Sequence, residues 1–129
     1  MQLLLIIAIA LHVLSSTFWA GSTFVLARTG GTEVWRLFRP QMAAATVAVG
    51  TGVLLWKLAH IGGAGTNELL LGVGAAAAVT ALAVQALGAG RALRAAARDE
   101  SEPAVAAPYR LSAGLLMLTL ICMAAARYA

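Results

Sequence analysis

Hydrophobic and polar positions along this chain alternate in long blocks. Four runs carry no Asp, Glu, Lys or Arg: Met1 to Ala27, Pro40 to Trp56, Leu69 to Gly90 and Leu111 to Ala126. Each is about as long as the ~17 to 25 residues a helix needs to cross ~30 Å of hydrocarbon. The pattern predicts an all-α integral membrane protein, a four-transmembrane-helix bundle. The first helix runs from Leu3 to Ala27 and is ended by Arg28 and the Thr29-Gly30-Gly31 turn. A short amphipathic piece follows, capped by Thr32, with Trp35 and Phe38 toward lipid and Arg36 and Arg39 toward headgroups. The second helix starts at Pro40, where proline suits a first turn, and runs to Ile61 before Gly62-Gly63-Ala64-Gly65. The third, capped by Thr66 or Asn67, projects past Gly90 to Arg98. Asp99 to Pro108 is a polar linker, and Tyr109 and Tyr128 sit at the two ends of the fourth helix as interfacial aromatics.

Composition sharpens this picture. The chain is 61% hydrophobic and 11% charged, against roughly 25% charged in a soluble domain. The segments between the runs are too short for a separate soluble domain, so residues 1–129 form a single transmembrane unit. The net charge of +4 comes without a basic stripe interleaved with aromatics, which argues against nucleic acid and for a lipid bilayer as partner. Met1-Gln2 supplies no basic side chain and the first run is long for a cleavable leader, so it is expected to stay as the first span. Lone Cys122 cannot form an intramolecular disulfide.

Charge placement sets an expected orientation. The first and third loops hold Arg28, Arg36, Arg39, Arg91, Arg94, Arg98 and Arg110, while only Lys57 and Arg127 lie on the opposite side. Positive residues stay in the cytoplasm. Both termini are therefore expected on the outer side, periplasmic or extracellular for a protein of a bacterial cytoplasmic membrane.

Polar residues inside a span are costly and face the bundle interior. At 100° per residue, Ala8, His12, Ser15, Ser16, Trp19 and Thr23 share one sector of the first helix, opposite Leu3, Ile7, Leu14, Phe18 and Val25. On the second helix, Thr46, Gly50, Val53, Lys57 and His60 share a face. His12 is the only histidine deep in a span, ~13 Å from the outer end, whereas Lys57 and His60 lie near the outer surface. A neutral imidazole among small apolar neighbours suits haem iron or copper, with Gly50 and the Ala-rich third helix as candidate space for a porphyrin. The same residues equally suit close packing and interhelical hydrogen bonds, and Gln85 is expected to make such a contact. A second axial ligand at the depth of His12 is not evident. His60 is ~10 Å or more nearer the surface, and Met117, at the right depth, points off the Ser112, Thr119 and Met123 face. That leaves Met117 as the candidate second ligand, a five-coordinate iron, or His12 of a second subunit in a homo-oligomer, with Lys57 and His60 suited to propionates.

The run LHVLSSTFWAG, in which His12, Trp19 and Gly21 keep fixed spacing, resembles the first helix of the HemJ-type protoporphyrinogen oxidases and the related CopD-type copper-resistance domains. Arg28, the segment Arg36-Leu37-Phe38-Arg39-Pro40-Gln41-Met42, Gly52-Val53-Leu54-Leu55 and Tyr109-Arg110 extend the resemblance over most of the chain. It implies haem b or a porphyrin substrate in a helical bundle, with His12 as iron ligand or catalytic histidine, Trp19 nearby, and electrons passed to a quinone or another respiratory-chain acceptor. One departure concerns the oxidase activity more than the haem. A lysine expected early in the third helix is absent there, where Glu68 is the only charged residue, and the only lysine is Lys57. The CopD side of the resemblance implies copper, for which Cys122, Met123 and His60 lie in the outer half. A third expectation, from the Ala- and Gly-rich helices, is a cofactor-free accessory subunit of a membrane complex.

Overall fold

The computed structural model describes residues 1–59 and 65–129. Among these residues all regular structure is helical: α1 (Gln2–Thr29), α2 (Val34–Ala59), α3 (Thr66–Asp99) and α4 (Ala106–Ala126). All four are long and apolar enough to span a membrane. Within α3, residues Val84–Ala89 form a π-helical turn. Antiparallel α1 and α2 make one closely packed pair and α3 and α4 another; the pairs meet chiefly between α1 and α4, and α2 only brushes α3.

The break after α1 comes from two glycines with positive φ, Gly30 at 70° and Gly31 at 95°. Their N–H groups both return to the Leu26 carbonyl, Gly31 at 2.9 Å, a left-handed helix ending that glycine makes without a Cβ penalty. Gly31 also lies directly against the Val105 side chain of the α3–α4 connection, so any Cβ here collides. The first and third loops thus interlock at one end of the bundle.

Three expectations need correction. The second span does not start at Pro40: α2 begins at Val34 and runs through the proline. Arg36 and Leu37 donate to the Glu33 carbonyl at 3.1 Å each, so the helix is already established, and a proline in its second turn removes one bond where the ladder is barely begun. The amphipathic piece and the second span are one helix. Phe38 is half-buried against the bundle rather than turned to lipid, its ring lying 3.5 Å from where a Gly90 Cβ would stand, because α3 extends far enough to cover it; Trp35 is exposed. Tyr109, placed by sequence at the interface, is fully buried.

The extension of α3 past Gly90 agrees with the sequence reading. Its buried face includes Ala81, Gln85, Ala89 and Leu93, three successive steps of four residues. In a regular α-helix each such step rotates the face by about 40°. The wider π turn spans this stretch and absorbs that drift, so Gln85 and Leu93 both meet the other helices.

Two apolar clusters result. Trp19, Ala45, Ala48, Ala78, Ala81 and Leu116 fill the middle of the bundle. Leu26, Val34, Ala89, Leu93, Val105 and Tyr109 close the end that carries the first and third loops. Small residues allow close approach on the α3–α4 seam: a Cβ on Gly74 would stand 3.2 Å from that of Cys122, and one on Gly88 3.1 Å from the Pro108 ring.

Candidate functional site

The face of α1 expected to point inward does so. Ala8, Trp19 and Thr23 are buried, and His12, Ser15 and Ser16 are half-buried, while Leu3, Ile7, Leu14, Phe18 and Val25 are exposed. Sharing this face are two polar constellations with different chemistry.

The first surrounds His12. Its Nδ1 lies 2.9 Å from the Ala48 carbonyl oxygen and 3.1 Å from Thr51 Oγ1 on α2. A carbonyl can only accept, so Nδ1 carries the proton. Thr51 Oγ1 donates to the Val47 carbonyl at 2.6 Å, which leaves its lone pairs to share the imidazole proton. The ring rests on Gly52, where a Cβ would come within 3.1 Å of Cε1. With Nδ1 engaged, Nε2 holds a lone pair, and it has no hydrogen-bond partner among the described residues. Metal-bound histidines are anchored in the same way, one nitrogen donating to a carbonyl and the other free to coordinate. The donor chemistry of His12 therefore fits an axial haem ligand.

The second constellation joins all four helices. Trp19 Nε1 donates to Gln85 Oε1 at 2.8 Å, and Gln85 Nε2 donates to Thr23 Oγ1 at 2.9 Å. Gln41 Nε2 donates to Thr23 Oγ1 at 3.0 Å and to Ser22 Oγ at 2.9 Å, while Gln41 Oε1 accepts from Tyr109 Oη at 2.7 Å. Thr23 sends its own proton to the Trp19 carbonyl at 2.7 Å. Gln41, Gln85, Thr23 and Tyr109 are 0% exposed. Paired side chains of this kind fix the relative register of helices that apolar packing alone lets slide. Gln85 thus makes the interhelical contact expected of it, and Trp19 spends its only polar group on that amide.

The remaining expected site residues are not brought to His12. Gly50 and Lys57 are exposed, as are Thr46 and Val53, so the face of α2 chosen from sequence is the outward one. The inward face carries Gln41, Ala45 and Ala48, with Gly52 under the histidine. A hydroxyl and a lysine had marked the wrong side, because Thr46 satisfies its hydroxyl on the Met42 carbonyl of its own helix at 2.9 Å and Lys57 needs no interior partner. Met117 is exposed, pointing out of the bundle. Cys122 is buried on the α4 side of Gly74. His60 lies outside the described residues. Among the described residues no group of three His, Cys, Asp or Glu side chains is close enough to hold a metal ion together.

Sequence reasoning gave Thr51 no role, and it named Gln41, Gly52 and Tyr109 within the family resemblance without assigning them an interior contact. A buried amide inside a long uncharged run, as at Gln41, was a usable signal. Nothing local distinguishes Gly52 from Gly50.

Beyond His12, toward the chain termini, a shallow groove is lined by Trp56 of α2 and by Gly65, Glu68, Leu69, Gly72, Val73 and Ala76. No family model, curated protein or solved structure matches this chain.

Proposed function

We propose that this protein is a multi-pass membrane protein that binds haem b through Nε2 of His12 and serves in electron transfer, with porphyrin oxidation of the HemJ type as the associated enzymatic activity. The observation that carries this reading is the anchored imidazole: Nδ1–H given to the Ala48 carbonyl and Nε2 without a hydrogen-bond partner among the described residues, at a position that is only half-buried. Bound haem supplies an iron centre that changes oxidation state by one electron. The residues of this chain fix the ligand: Thr51 and the Ala48 carbonyl hold the tautomer, and Gly52 gives the ring clearance.

The core between Trp19 and Leu116 is filled with side chains, which favours a porphyrin held on the terminal side of it, toward the groove between α2 and α3. Trp19 then supports α1 from below rather than touching the cofactor. In the same reading both termini lie outside and the arginine-rich loops inside the bacterial cytoplasmic membrane, on the positive-inside rule, and electrons leave to a quinone or a membrane partner.

The test is an absorption spectrum of protein purified from cells supplied with haem. Wild type is expected to carry a Soret band with reducible α and β bands, and His12→Ala to accumulate in the membrane without them. Copper in place of those bands would move the reading to the CopD type. A wild type with neither, or a His12→Ala variant with an unchanged spectrum, sinks the haem reading in favour of an accessory subunit.

A further inference from the structure

The end of the bundle that carries the first and third loops has a charge arrangement the haem reading does not use. At 1.5 Å per residue, the 34 residues of α3 extend about 50 Å, well beyond ~30 Å of hydrocarbon. Its last ten residues, Gly90–Asp99, are strongly two-sided. Leu93 and Ala96 are buried, Leu93 within the cluster of Leu26, Val34 and Val105, while Arg91, Arg94 and Arg98 are exposed. The other helices deliver Arg28, Arg36, Arg39 and Arg110 around that same cluster, each exposed. Seven guanidinium groups therefore ring one packed end.

The acidic residues of this end number four against the seven arginines. Glu33 sits in the first loop, and Asp99, Glu100 and Glu102 lie at the far tip of α3 and in the connection after it. Only Arg36 has an acidic partner among the described residues, Glu33 at 3.6 Å, on an exposed pair. Such a pair holds a guanidinium weakly. Six of the seven arginines are thus exposed with no ion-pair partner among the described residues, and this end carries a net positive charge.

We infer that this arginine collar is a binding surface for anionic phospholipid headgroups. Guanidinium forks match phosphate oxygens in pairs, and the groups come from four helix ends rather than one flexible tail, so the surface is preorganised. Selection of an acidic lipid over a zwitterionic one follows from net charge: a zwitterionic headgroup brings its own cation to the collar and an anionic one does not. The inference requires insertion in a bilayer but neither haem nor a particular orientation.

The test uses the full-length protein reconstituted in phosphatidylcholine vesicles containing phosphatidylglycerol. Spin-labelled phosphatidylglycerol and phosphatidylcholine report the fraction of each lipid immobilised on the protein. Phosphatidylglycerol is expected to associate several-fold more strongly at low salt, with the preference falling toward parity at high salt. The combined Arg91→Gln, Arg94→Gln and Arg98→Gln variant, which leaves Leu93 and Ala96 in place, should lose most of the preference. Lys57→Gln, at the opposite end, should keep it. Equal association of the two lipids with wild type, or a preference untouched by the triple substitution, overturns the assignment. Failure of the protein to reconstitute would instead count against membrane insertion itself.

Discussion

The two ends of this bundle are built differently. At the loop end, Thr23, Gln41, Gln85 and Tyr109 are sealed from solvent and hydrogen-bonded across four helices, above a cluster in which Leu26, Val34 and Val105 have almost no exposure. At the terminal end, Ala8 is the only buried residue of α1 before Trp19, and α2 has none after Ala48 among the described residues. There a shallow groove runs between Trp56 of α2 and the first turns of α3, and His12 hydrogen-bonds to α2. The loop end carries the four-helix hydrogen-bond network, and the terminal end carries His12 and the shallow groove between α2 and α3. A membrane bundle gains little from apolar burial against lipid, so polar pairing and close backbone approach do the specifying: the four-helix network holds the loop end, and at the terminal end the α3–α4 seam is tied by Gly74 against Cys122 and by Thr119 Oγ1 donating to the Gly74 carbonyl at 3.0 Å.

The largest expected effect breaks the loop end at its tightest point. Gly31→Ala adds a methyl group at a φ of 95° and into the Val105 side chain. Backbone strain and overpacking together should cost about 3 kcal/mol, seen as a large fall in the thermal midpoint in detergent. A near-normal midpoint would mean that the first and third loops do not interlock.

Next comes Gln85→Leu, which keeps the volume and leaves the buried Trp19 indole N–H without an acceptor. A loss of about 1 to 2 kcal/mol is expected, and any haem spectrum should survive because His12 is not in the network. If stability is unchanged while the spectrum is lost, the division of labour between the ends is wrong.

How much of this was legible in the sequence differs between the same two ends. The four spans, the inward face of α1 and the extension of α3 follow from hydrophobic blocks and periodicity, which report directly on what must avoid water or lipid. The facing of α2 does not. Its stretch from Ala43 to Gly52 is almost uniformly small and apolar, so periodicity offers no contrast, and Thr46 and Gly50 suggested a face that is turned outward. Tyr109 was read as interfacial because tyrosines at span ends usually are. Its burial depends on Gln41, distant in sequence and brought near only by the fold. The haem ligand proposed at His12 was visible as a residue, but its anchoring on Ala48 and Thr51 was not.

The smallest expected effect separates two neighbouring glycines at the terminal end. Gly50→Ala meets nothing within 4 Å, whereas Gly52→Ala places a methyl group 3.1 Å from the His12 ring. Both should change stability by less than about 0.5 to 1 kcal/mol, yet only Gly52→Ala should alter the bound-haem spectrum. Identical spectra for the two variants would show that α2 does not set the position of the ring.

The most direct measurement of the central claim is the protonation of the His12 ring, read by ¹⁵N nuclear magnetic resonance on histidine-labelled protein without haem, with His60→Gln used for assignment. The account predicts a proton on Nδ1 and a lone pair on Nε2 at a pH where the ring is neutral, with the Nε2 signal lost when haem is added. A neutral ring with its proton on Nε2 would contradict the anchoring on Ala48, and with it the case for His12 as the ligand.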